Sequence, residues 1–264
     1  MFAGVVLAVA MAAGCNPVPG ESALWTNPET RYVLVGEGHG TAEIPAFFGD
    51  LVCAAQLSGR PVVVGVEADE AGQPDIDQFL ASDGGELARA AFHRNSMWKG
   101  SDGRASRAYF KLFERLRRYK QSGQIADVVA TEPNWNSAWA GHPHQNESDA
   151  AMAERFRAAV ARLPGAILFV LAGNVHASKG VFKFGNETII PAGADLPPEE
   201  TISLNVLSGG QAWNCSGPAH CGPRQYGSSP PGERGVRLVP DQPPKYDGVA
   251  ELGVPTTASP PELP

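Results

Sequence analysis

The chain has 264 residues, 43% of them hydrophobic and 19% charged, which is enough for one buried core of ordinary domain size. Its net charge is −7, and the only basic block, "RLRRYK" (Arg115 to Lys120), has a spacing that suits the solvent face of a helix. This balance argues against nucleic acid as a partner.

The chain opens on "MFAGVVLAVAMAAG", an apolar run that ends in small residues just before Cys15, as a secretory signal does when it leads into a lipoprotein cleavage box. The run is short for a membrane span. It predicts a leader over 1–15, an exported protein in the periplasm or anchored at the envelope, and possible membrane attachment through a lipidated Cys15. A single domain is then expected over 24–254, followed by a Pro-rich extended tail over 255–264.

Non-alternating apolar runs predict strands at Tyr32 to Val35, Pro61 to Val66, Ala126 to Thr131 and Ile167 to Leu171, the pattern of strands covered on both faces. Helical patterns separate them: "AFFGDLVCAAQL" after the first, "DIDQFLA", "ELARAAFH" and "SRAYFKLFERLRRY" after the second, and "SDAAMAERFRAAVARL" after the third, with Ser148 as N-cap. Strand and helix in alternation predict an α/β fold with a mainly parallel central sheet flanked by helices. Beyond His176, "GVFKFGNETIIP" reads as a hairpin turning at Gly185 and Asn186, and "TISLNVL" as a strand. The rest reads as a loop-rich C-terminal part in which "GPRQYGSSPPGERG" is loop and "YDGVAEL" an edge strand.

Cys215 and Cys221 bracket "NCSGPAHC", a short Gly/Pro loop that could close as a disulfide in an oxidising compartment. A zinc site of these two with His220 is the alternative, but it lacks a clear fourth ligand. Cys53, inside an apolar helical pattern, reads as a buried thiol.

Ligands of open parallel sheets bind beyond the carboxyl ends of the strands. Those ends carry Glu37 and His39, then Glu67, then Glu132, then His176. A lone acid or histidine there is ordinarily solvated or caps a helix. Convergence of four such ends on one rim points instead to a shared pocket. Arg104, expected just inside a helix start, could hold an anionic substrate, and Trp135 and Trp139 could line an apolar wall. His142 and His144 form an H-x-H that reads as solvated loop.

"GEGH" and "GNVH" form a pair of G-x-x-H motifs at strand ends with Glu67 between them, and "GEGHGTAE" and "SDAAMAERF" followed by "LFVLAGNVHA" extend the pattern. Over Arg31 to Leu207 the chain resembles the Tiki/ChaN/erythromycin-esterase-like superfamily. The resemblance implies Glu37, His39, Glu67 and His176 as functional residues. Glu43 matches the acid closing the esterase-like run, a position that equally suits a helix cap. Members of the superfamily include metal-dependent proteases, esterases that open a macrolide lactone and haem-binding lipoproteins, so the resemblance offers several chemistries.

Two of them fit. In one, His39 or His176 is a general base on water with a Glu orienting the ring, for which an ordinary imidazole is well poised. In the other, His39, His176, Glu37 and Glu67 hold a divalent metal. Both predict a hydrolase of an ester or peptide bond, acting on a small-molecule or peptide substrate. The competing expectation is a haem- or metal-binding envelope protein without turnover, although no C-x-x-C-H motif is present.

Overall fold

A computed structural model describes residues 15–133, 145–216, 220–240 and 244–262. The leader's first fourteen residues, Trp135, Trp139, His142 and His144 lie outside the described residues. The four apolar runs become β1 (Tyr32–Glu37), β2 (Val62–Asp69), β3 (Asp127–Glu132) and β4 (Ile167–Gly173). They lie side by side, all parallel, in a seven-stranded sheet ordered β10-β11-β7-β1-β4-β2-β3. Here β7 is Thr201–Leu207, β10 is Gly235–Leu238 and β11 is Gly248–Glu251. Only β10 runs antiparallel to its neighbour.

Burial on both faces explains the missing alternation. Val33 and Val35 of β1, with Ile167, Phe169 and Leu171 of β4, enter one core layer, while Tyr32, Leu34, Leu168 and Val170 enter the other. The first layer is closed by α1 (Glu43–Ala55), α2 (Gln73–Ala81), α3 (Glu86–Phe92) and α4 (Arg107–Gln121), through Phe47, Phe48, Phe79, Phe92 and Phe113 among others. The second is closed by α5 (Gln145–Ala161), through Met152, Phe156 and Val160.

The chain leaves adjacent β1 and β4 in opposite directions. After β1 it passes through α1 on the first layer to reach β2; after β4 it passes through the one-turn α6 (Asn174–Ala177) on the second layer to reach β7. A crevice opens at such a switch point because the two connections diverge from neighbouring strand ends.

Several local expectations are corrected. Helix α5 begins at Gln145, so Ser148 is a buried residue inside it rather than its cap. Arg104 lies before α4, in the loop ahead of the capping Ser106. The loop reading of "GPRQYG" fails because it pairs as β9 (Cys221–Ser228) with β8 (Gly209–Cys215). "YDGVAEL" supplies β11, an interior strand between β7 and β10. The predicted hairpin at Gly185 and Asn186 does form, as β5 (Phe182–Phe184) and β6 (Glu187–Ile189).

The Pro-rich tail is docked as far as it is described. Ser259 N–H donates to the Gly40 carbonyl at 2.8 Å and Glu262 N–H to the Ala105 carbonyl at 3.0 Å. Glu43 is the first residue of α1, and its two carboxylate oxygens accept from Thr257 N–H at 2.7 Å and Thr257 Oγ1 at 2.6 Å.

Cys215 and Cys221 form the expected disulfide. Cys53 is not a free thiol: it pairs with Cys15. A sulfur in a disulfide cannot also carry a thioether-linked lipid, so this pairing and lipidation of Cys15 exclude each other. Two disulfides agree with an exported, oxidising setting. Among the described residues no helix is long and apolar enough to cross a membrane.

Candidate active site

The sheet's carboxyl edge gathers the acids and histidines around the β1–β4 switch point. Glu37, the last residue of β1, is 2% exposed. Its Oε1 accepts from the Tyr109 hydroxyl at 2.6 Å and meets His39 Nδ1 at 3.0 Å, while Oε2 has no partner. Glu67 is set differently, within β2 where the register against β3 shifts between Val66 and Asp69. Such a bulge re-aims a side chain that a regular strand would send into a core layer.

Glu67 is the hub of the cluster. Its Oε1 lies 2.8 Å from Arg104 Nη1, 3.6 Å from His39 Nε2 and 3.8 Å from His176 Nε2. Its Oε2 accepts from Gly173 N–H at 2.5 Å. A Cβ at Gly173 would stand 3.3 Å from both His39 Nε2 and His176 Cδ2, so a side chain there would press on both rings. His176, on α6, is fixed from behind by Asp149 of α5, whose Oδ1 lies 2.8 Å from Nδ1. Asp149 is fully buried and fixed in turn by Ala192 N–H at 2.8 Å and Gln145 Nε2 at 2.8 Å.

Arg104 bridges the carboxylates. Beyond Glu67 it reaches Glu132 Oε1 at 3.0 Å and Asp102 Oδ2 at 2.6 Å. Its guanidinium is thus engaged with three carboxylates inside the chain. A cavity of about 280 Å³ opens next to this bridge, lined by Glu67, Asp69, Met97, Asp102, Arg104 and Glu132 among others.

These contacts set the protonation states. Burial pushes the His39 pKa down, but the Glu67 charge and the hydrogen bond to Glu37 outweigh it and raise the group to about 10. His176 is raised too, with burial overcome by Asp149 and Glu67. Glu67 is held well below the usual carboxylate range, because Arg104 and His39 outweigh its burial. Glu132 moves the other way, raised by burial and the Glu67 charge against the pull of Arg104. The ordinary imidazole expected at this rim is therefore absent: in the resting site His39 is an imidazolium at neutral pH.

Glu67 Oε1 pairs with Arg104 at 2.8 Å and faces His39 Nε2 and His176 Nε2 at 3.6 and 3.8 Å, while each histidine meets a carboxylate through Nδ1 and keeps Nε2 for the crevice. Among the described residues no group of three or more His, Cys, Asp or Glu side chains is arranged to hold a metal ion.

Glu37, His39, Glu67 and His176 thus share one site, with Glu132 at its margin through Arg104. Sequence reasoning missed Tyr109, Asp149 and Asp102. Asp149 carried a readable signal: it falls in line with Met152, Phe156 and Val160, on the apolar stripe of its own helix. A buried acid on such a stripe needs a partner.

The sequence matches no family model, and no curated protein is significantly similar to it. Solved structures are. A variant of the erythromycin esterase EreC in its open conformation matches with a TM-score of 0.60 at 13% identity, over 80% of this chain and 79% of that one. A succinoglycan biosynthesis protein matches with a TM-score of 0.58 at 11% identity, over 76% of this chain and 72% of that one. The chain therefore has an erythromycin-esterase-like fold, and its Glu/His cluster stands at the carboxyl edge of that fold's sheet.

Proposed function

We propose that the chain is an exported hydrolase of an ester or peptide bond, with His39 and His176 as its acid–base pair. The observation that carries the reading is the convergence of two histidine–carboxylate dyads, Glu37–His39 and Asp149–His176, whose Nε2 atoms both face Glu67 Oε1. Each ring is fixed through Nδ1, which leaves Nε2 to exchange a proton with a reacting group. The erythromycin-esterase-like fold supports the same chemistry by analogy.

The two rings sit in different settings: His39 is held between Glu37 and Glu67 and is raised to about 10, while His176 is raised by Asp149 and Glu67. On this reading His176 is the base and His39 the acid. In neutral form His176 takes a proton from the attacking water, and Asp149 stabilises the imidazolium it becomes. His39, held as imidazolium by Glu37 and Glu67, steadies the developing oxyanion and then protonates the departing alkoxide or amine. Solvent returns the proton from His176 to His39 after product leaves. Glu67 is too weak a base to compete and serves to orient both rings.

Purified mature protein tested on a panel of esters and peptides should show a bell-shaped kcat/KM profile, with a rising limb from His176 and a falling limb near 10 from His39. His39→Ala and His176→Ala should each lower kcat by about a hundredfold or more with an unchanged far-UV spectrum. Full activity in both variants would sink the reading. So would a Soret band in the wild type that either variant loses, since the same rings would then be ligands of a carried haem.

A further inference from the structure

Strands β8 and β9 form a hairpin closed at its tip by Cys215–Cys221, and it packs on the turn that carries the Glu37–His39 dyad. Trp213 N–H of β8 donates to the Gly40 carbonyl at 2.8 Å. Tyr226 of β9 lies against Gly38 so closely that a Cβ there would stand 1.9 Å from its hydroxyl oxygen. Gly38 is the single residue between Glu37 and His39. Burial raises the Tyr226 pKa and the nearby Glu37 charge adds to it, against the lowering effect of Ser208 and of the Gly38 backbone beside its hydroxyl.

That contact matters because of how Glu37 is held. Its Oε1 is shared by Tyr109 and His39, while the buried Oε2 has no partner. A carboxylate fixed through one oxygen keeps its place only if the peptide that carries it is fixed as well. From the sheet side, β1 does this. Beyond Glu37 the peptide leaves the ladder: Gly40 is held by Trp213 N–H and Ser259 N–H, and Gly38, between Glu37 and His39, packs against Tyr226.

We propose that Tyr226 is a positioning residue of the active site: by clamping Gly38 from the disulfide-tipped hairpin, it holds Glu37 against His39 Nδ1. This rests on the hydrolase reading above for its effect on turnover, and on geometry alone for its effect on His39. With the hydroxyl removed, the Glu37–Gly38–His39 turn loosens, the imidazolium loses part of its carboxylate partner, and His39 titrates at lower pH.

The test is NMR titration of the histidine rings in full-length Tyr226→Phe beside kinetics on the ester panel. The His39 midpoint should fall while that of His176 stays, and kcat should drop about tenfold with KM changed less than about twofold, the size expected for a small loss of alignment. Gly38→Ala, whose new Cβ must displace the phenol, should move the His39 midpoint the same way and keeps the test decisive should the first variant unfold. An unmoved His39 midpoint in a folded variant overturns the proposal, whatever activity does. If the wild type hydrolyses nothing on the panel while the His39 midpoint still falls, the hydrolase reading fails and the positioning role stands.

Discussion

Tyr109 shows how much of this site lies in the groups behind the histidines. Its hydroxyl is fully buried and donates to Glu37 Oε1 at 2.6 Å, one of two donors to that oxygen. Tyr109→Phe keeps the ring's packing and leaves a buried carboxylate with one partner fewer. The expected cost is about 1–3 kcal/mol of stability, read as a lower midpoint in denaturant with unchanged slope. An unaltered midpoint would mean that water or rotation of Glu37 replaces the bond at no cost. Glycines and the G-x-x-H spacing gave away the strand-end residues, because tight turns restrict residue type. Tyr109 gave no such signal: it sits in a helical run with Phe110, Leu112 and Phe113 and reads as one more core aromatic. Arg104 was legible as a charge near the rim but not in its role, since two of its three carboxylate partners, Glu67 and Glu132, come from distant stretches of chain.

Among the elements, what was legible divides at β7. Up to that strand the parallel ladder is written in continuous apolar runs, and their carboxyl ends could be located to within a few residues. The later part escaped because β8 and β9 form a separate two-stranded sheet with exposed Arg224 and Gln225, which leaves no apolar alternation to read. The tail escaped for a related reason: it is held by single bonds such as Thr257 to Glu43 rather than by a hydrophobic face. Helix α1 is bound to the chain's start by Cys15–Cys53, across a sequence separation of 38. Closing a loop of that length reduces the unfolded chain's entropy by the equivalent of about 4 kcal/mol. Cys15→Ser with Cys53→Ala should therefore lower the unfolding free energy by several kcal/mol, somewhat less than that if the small residue at 53 packs well. Equal stability of the double variant and the wild type would show that the bridge constrains nothing the fold does not already constrain.

For the molecule as a whole, the crevice at the β1–β4 switch point carries an unusual share of its buried charge, so stability should follow pH through this one site. His39 has an unfolded pKa of 6.5 and is raised to about 10 on folding. Its contribution is fully present below 6.5 and is lost as pH rises through 10. His176, also raised, acts in the same sense. Glu67 starts from 4.5 and is held well below it, so its contribution is present above 4.5 and is lost as pH falls through its folded value, with Asp102 acting alike. Glu132 is raised, which withdraws stability as pH climbs above 4.5 and tilts the optimum toward acid. The favourable terms overlap fully only between 4.5 and 6.5. The melting temperature should peak in that interval and decline on both sides, with the alkaline decline running on toward pH 10. His39→Gln, which has no charge to lose, should flatten most of the alkaline limb while leaving the acid limb in place. A melting temperature that holds level or climbs from 6.5 to 10 in the wild type would mean that His39 is not held as an imidazolium, and the proton inventory assigned to the two dyads would have to be reversed.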